Sequence, residues 1–137
     1  MGIWNRWKRD GSPHSPGTAA LLGSRGMETL PHSVGIETKG GTFTPLIRKG
    51  MPLPVRVAEI FTTAEPDQSA IKIRCFEGEK SRTARNRELG WFELAEIPPG
   101  GAGEPQIEVT FHVDAIGAFS ITARDARTGR DLPVRQC

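Results

Sequence analysis

Thr110, His112 and Asp114 fall at alternate positions of one segment, VTFHVDAIG, and are the residues best spaced for proton transfer. Side chains two apart on an extended chain share a face, so His112 and Asp114 are near enough to act as an acid–base pair. The solvated face of a half-buried strand explains the same pattern better, because no Ser-centred elbow, P-loop, HExxH or zinc spacing accompanies it. His14 and His32 lie in Pro-containing stretches and join no constellation. Cys75, within a strand-like run, and Cys137, the last residue, form no CxxC pair and have no His at ligand spacing. The chain is therefore not expected to be an enzyme, to bind a metal or to carry a cofactor.

Binding chemistry is better represented. Residues 33–71, SVGIETKGGTFTPLIRKGMPLPVRVAEIFTTAEPDQSAI, join strand-like alternations through turns and end in an apolar run. An extended peptide offers unpaired main-chain N–H and C=O groups, which a receptor can satisfy with its own backbone while apolar pockets take the side chains.

The elements that must carry such a site read as strands. Val55, Val57, Glu59 and Phe61 alternate with Arg56, Ala58, Ile60 and Thr62. Ile71, Ile73 and Cys75 oppose Lys72, Arg74 and Phe76, and Ile107, Val109, Phe111 and Val113 oppose Glu108, Thr110, His112 and Asp114. Turn residues punctuate these runs at Gly40-Gly41, Gly50 to Pro54, Ala64 to Gln68, Gly78, Pro98 to Pro105, Ala115 to Gly117 and Arg127 to Gly129. Strands are expected near 33–38, 44–48, 55–62, 69–77, 89–94, 106–113, 118–125 and 131–135, the last interrupted by Pro133. The fold class is all-β: a two-layer antiparallel β-sandwich of about eight strands over residues 29–137.

Residues 1–28, rich in Gly, Ser and Pro, are expected to form a disordered, flexible leader, with an interfacial or partner-binding segment anchored by Trp4 and Trp7 as the alternative. The leader lacks the apolar region of a secretory signal, and Arg6 breaks the myristoylation pattern. A chain of 137 residues suits one core. Its 18 basic and 16 acidic residues are interspersed and leave a net charge of +2, so nucleic-acid binding is not implied. No apolar run is long enough to span a membrane. The cysteine usage suits a reducing, cytoplasmic setting.

Eight segments carry a family resemblance, in order: VGIETKGG (34–41), PLIRKG (45–50), LP (53–54), IFTTAEPDQSAI (60–71), GE (78–79), NRELGWFEL (86–94), IPPG (97–100) and PQIEVTFHVDAIG (105–117). With their spacing, the span 29–137 resembles the β-subdomain of the substrate-binding domain of DnaK-type, seventy-kilodalton heat-shock chaperones. The resemblance implies two loops, Glu37 to Thr44 and Thr62 to Ser69, rising from one end of the sandwich to hold an extended apolar peptide. It also implies pocket walls at Ile36, Phe61, Ile71, Ile73 and Ile107, and residues bordering or hydrogen-bonding the peptide main chain at Thr38, Thr62, Ala64 and Gln68. From the residues alone, sandwich core is the better reading of the five apolar positions, as it is for most strand isoleucines.

Two departures qualify the likeness. The arch that bridges the peptide, often a Met facing an Ala in the family, falls here on Lys39 and Ala64; a Lys stem covers apolar surface while its ammonium faces water. Ile116 stands at a turn position that is commonly acidic in the family. The nucleotide domain, apolar linker and helical lid have no counterpart in the sequence, so the expectation is a holding module without an ATP cycle. Its partners would be extended apolar peptides or unfolded proteins, with self-association through the apolar tail Thr18 to Leu22 or through the groove as a further expectation. The alternative is a structural or interaction module with a vestigial groove, or a truncated paralogue.

Overall fold

The computed structural model describes the main chain of residues 2–9 and all of residues 28–137. Among the described residues, ten strands form two antiparallel sheets: β1 (Gly2–Arg9), β2 (Val34–Thr38), β3 (Thr42–Ile47), β4 (Val55–Thr62), β5 (Ile71–Glu77), β6 (Arg87–Leu94), β7 (Ile107–Val113), β8 (Phe119–Asp125), β9 (Asp131–Leu132) and β10 (Val134–Gln136). One sheet has the order β1-β4-β7-β8-β9 and the other β10-β6-β5-β2-β3. All eight expected strands are present. Pro133 splits the last into β9 and β10, one in each sheet, because proline cannot donate to a ladder.

The period-two pattern converts directly into burial. Along β7, Ile107, Val109, Phe111 and Val113 are buried while the residues between them are half-exposed. Phe61 and Phe111 pack with ring centroids 6.2 Å apart. Together with Ile36, Ile73, Leu94 and the other inward residues they close one core between the sheets, and the buried apolar area supplies the main favourable folding term.

Within the expected leader, the main chain of Gly2–Arg9 forms β1. Its main chain pairs antiparallel with β4, with Gly2 opposite Thr62, Ile3 opposite Phe61 and Arg9 opposite Val57. The segment lacks a clean alternation, so periodicity gave no signal for it. The remaining leader positions, including Thr18 to Leu22, lie outside the described residues.

Of the pair considered for proton transfer, Asp114 is taken up by a turn. Asp114 Oδ1 accepts from the main-chain N–H of Ile116 (3.0 Å) and of Ala118 (2.8 Å), fixing the β7–β8 connection. Cys75 is buried and burial pushes its thiol up to about 12, so it behaves as a small apolar residue.

Candidate functional site at the loop end of the sandwich

Strand register gathers the predicted site at one end. Phe61, near the end of β4, pairs with Ile107 at the start of β7. Ile71 begins β5, paired with Leu94. β2 runs toward the same end, because Ile36 pairs with Cys75 and the antiparallel register carries Thr38 toward the start of β5. The β2–β3 hairpin and the β4–β5 connection therefore lie at the same end of the sandwich.

The hairpin lip turns through Lys39–Gly41, with Gly40 at φ 73° and Gly41 at φ 78°. Both conformations suit glycine, which has no Cβ to clash there. Thr38 Oγ1 lies 3.0 Å from Thr44 Oγ1 across the hairpin. Behind it, Thr83 Oγ1 lies within hydrogen-bonding distance of Glu37 Oε2 (2.7 Å) and of the Gly41 carbonyl (3.2 Å), and the Phe43 N–H donates to the Ser81 carbonyl. Lys39 is exposed at the tip, as is Ala64 on the opposite lip.

The long lip is organised by Gln68. Its Oε1 accepts from the N–H groups of Ala64 (2.9 Å) and Glu65 (3.2 Å), while its Nε2 donates to the Ala70 carbonyl at 2.7 Å. One side chain thus closes the connection on itself, as turn amides commonly do. The lip is also tied to the 97–103 loop: Asp67 N–H donates to the Gly100 carbonyl, Gly100 N–H to Asp67 Oδ1 (3.0 Å), Gly103 N–H to the Thr63 carbonyl and Ile97 N–H to the Ser69 carbonyl. Beneath it, Thr62 Oγ1 donates to the Pro105 carbonyl at 2.6 Å, a buried bond between segments 43 residues apart.

The five apolar positions sit below these lips, and here the structure corrects the expectation of an open slot. Ile36, Phe61, Ile73 and Ile107 are 0% exposed and Ile71 is 1% exposed. They belong to the common core cluster rather than to an open groove. The physical reason is that an unfilled apolar slot would leave these side chains short of contacts, and packing them against each other recovers the dispersion and burial energy. Thr62 is also buried, whereas Thr38 and Gln68 are half-buried.

A charged residue that the motif comparison did not single out lies in the same layer. Glu59, on the core-facing side of β4 with Val57 and Phe61, is 2% exposed, and its Oε1 has no hydrogen-bond partner among the described residues. Burial raises its carboxyl from the ordinary 4.5 to about 7, against a smaller lowering by the Ile60 N–H. The signal was legible: an acidic residue at an inward position of a period-two run. On the outer face of the other sheet, by contrast, the Arg74 guanidinium meets Glu88 at 2.9 Å and Glu37 at 3.6 Å and lies over the rings of Phe76 and Trp91. No group of three or more metal-ligating side chains gathers among the described residues.

Comparison with known proteins adds the family. A model described as Hsp70 protein matches residues 27–135, a span that begins before β2 and runs into β10 while leaving out β1. The match supports a chaperone-related role in general terms and, with the all-β sandwich, fits the β-subdomain of such proteins. The chain therefore belongs to the Hsp70 protein family.

Proposed function

We propose that the chain binds extended apolar segments of unfolded proteins at the loop end, holding them without chemistry of its own. The observation that carries this reading is the convergence of both lips above one apolar layer, in a chain whose residues 27–135 match the Hsp70 family. A peptide laid between the lips meets main-chain groups at Thr38, Thr62 and Ala64 and the Gln68 amide, and its central side chain drops toward Ile36, Phe61, Ile71, Ile73 and Ile107.

Because those five are sealed, binding requires the lips to part. The affinity is then the intrinsic one reduced by the fraction of molecules that are open. A Leu side chain contributes about 1.5–3 kcal/mol on burial, and each peptide hydrogen bond about 1 kcal/mol net. After the cost of association, roughly micromolar affinity follows. Lys39 at the tip disfavours basic residues flanking the apolar centre and favours acidic ones, by simple Coulomb interaction that salt weakens.

The test is fluorescence anisotropy of a labelled Leu-centred heptapeptide titrated with the full chain. Ala64→Glu serves as the control, because it alters an exposed lip residue and leaves the core alone. Saturable binding that weakens in Ala64→Glu supports the proposal, and absence of saturable binding overturns it. The sealed walls favour one second reading, a protein-interaction module whose groove is vestigial. In that case a partner captured by the full chain survives Ala64→Glu and is lost when residues 1–28 are removed.

A further inference from the structure

The two sheets expose unequal edges. In the β10-β6-β5-β2-β3 sheet, β10 is only Val134–Gln136, and β3 contains Pro45 and is met on its outer side at Thr42 and Phe43 by the Ser81–Arg82 segment. In the other sheet, β9 is only Asp131–Leu132. Each of these edges is short, interrupted or shielded, which are the usual protections against unwanted strand addition. β4, the strand beneath β1, is neither short nor interrupted. It runs eight residues, Val55 to Thr62, without proline, and its outer main chain is met by β1 alone among the described residues.

β1 lies wholly outside the residues matched to the family, 27–135. Its pairing is broken in the middle. Ile3 lies opposite Phe61 and Trp7 opposite Glu59, so four steps along β1 (7 − 3) cover two along β4 (61 − 59). The ladder is therefore two short runs separated by a slip, and short runs of main-chain bonds each contribute little net free energy. Residues 10–27 separate this strand from the matched domain, and a chain of that length reaches up to roughly 60 Å when extended. Covalent connection alone does not dictate that donor and acceptor belong to the same molecule.

We propose that the β4 edge is a strand-acceptor site and that it takes Gly2–Arg9 of a second copy of this chain, giving a strand-exchanged dimer. The donor brings main-chain donors and acceptors to the outer edge of β4, which is the chemistry of strand addition. Within one molecule the tether supplies an effective concentration on the order of mM. The cis pairing therefore dominates in micromolar solution, and exchange between copies appears near mM. Both states make the same contacts, as in any exchange of an identical element between protomers. This inference concerns the flank of the sandwich and does not depend on peptide binding at the loop end.

The test uses full-length chains carrying Cys137→Ser. Lys8 and Ala58 are opposite each other in the register, so Lys8→Cys and Ala58→Cys in one chain are expected to form an intrachain disulfide on oxidation. When separate chains carry Lys8→Cys and Ala58→Cys, with different C-terminal tags, mixing them at about 1 mM is expected to give the mixed disulfide. Its yield should exceed at least tenfold that of Lys8→Cys mixed with Ser120→Cys, an exposed position on β8 away from the edge. Light scattering of the unsubstituted chain should show a monomer at about 10 µM and a growing dimer fraction toward 1 mM. Failure of the intrachain bond, a mixed yield equal to the Ser120→Cys control, or a mass that stays monomeric at 1 mM would each overturn the proposal.

Discussion

The lips of the loop end and the layer beneath them are built on opposite principles. The lips are polar and accessible, held by Gln68 on Ala64 and Glu65, by Thr38 beside Thr44, and by main-chain bonds to the 97–103 loop. Water can replace most of those bonds, so each is worth little net and the lips can move. The layer beneath is apolar and closed, and nothing in water replaces what Ile73 or Phe61 gains by packing. The proposed peptide binding needs that division: a rim that opens at modest cost over a floor that stays put.

The division gives a ranking of perturbations. At the floor, Ile73→Ala should cost about 2–5 kcal/mol in urea unfolding, through lost burial and the cavity left behind. Ile71→Asp places an unpaired charge in the same layer and should abolish folding, so it cannot separate binding from stability. A cost below about 1 kcal/mol for Ile73→Ala would mean that the floor is already open in solution.

Glu59 is the exception within the floor, and its effect depends on pH. Its folded-state value of about 7 lies above the ordinary 4.5, so the native state keeps a proton that the unfolded chain releases between those values. Stability therefore falls as pH rises through this window, and is least above about pH 7. Glu59→Gln should raise stability by about 1–3 kcal/mol at pH 8 and change it little at pH 4. Paired thermal melts at the two pH values check this, and equal effects at both would remove the buried-carboxyl explanation.

Smaller effects are expected at the junction and the rim. Thr62→Val removes the buried bond to the Pro105 carbonyl and should cost about 1–2 kcal/mol by chemical denaturation. Gln68→Ala frees two exposed N–H groups that water can satisfy, so it should cost only about 0.5 kcal/mol. Amide exchange should nevertheless quicken at Ala64 and Glu65. If Gln68→Ala destabilised the chain as much as Ile73→Ala, the rim and floor would not be distinct.

Much of this architecture was written in the alternation of β4, β5 and β7, because period two fixes both the element and the face it buries. Turn residues placed the boundaries, and Pro133 announced the split between β9 and β10. Thr38 ends β2, Ala64 and Gln68 lie in the β4–β5 connection, and the five apolar residues are buried in the core. Alternation could not say whether Ile36, Phe61, Ile71, Ile73 and Ile107 face a slot or each other, since a pocket wall and a core residue need the same side chains. Nor could it find β1, whose pairing slips midway, or the Thr62 bond to Pro105, whose partners meet only after both sheets have formed. Glu59 was legible in principle, at an inward position beside Val57 and Phe61, and the cost of its burial became visible only with the packed sandwich.

The most direct test of the account is an amide NMR titration of the isotope-labelled full chain with the Leu-centred heptapeptide. The account predicts saturable shifts at roughly micromolar peptide, concentrated at Thr38–Thr44 and Thr62–Ile73. Absence of saturable shifts, or shifts confined to the outer edge of β4 and to β8–β9, would contradict it.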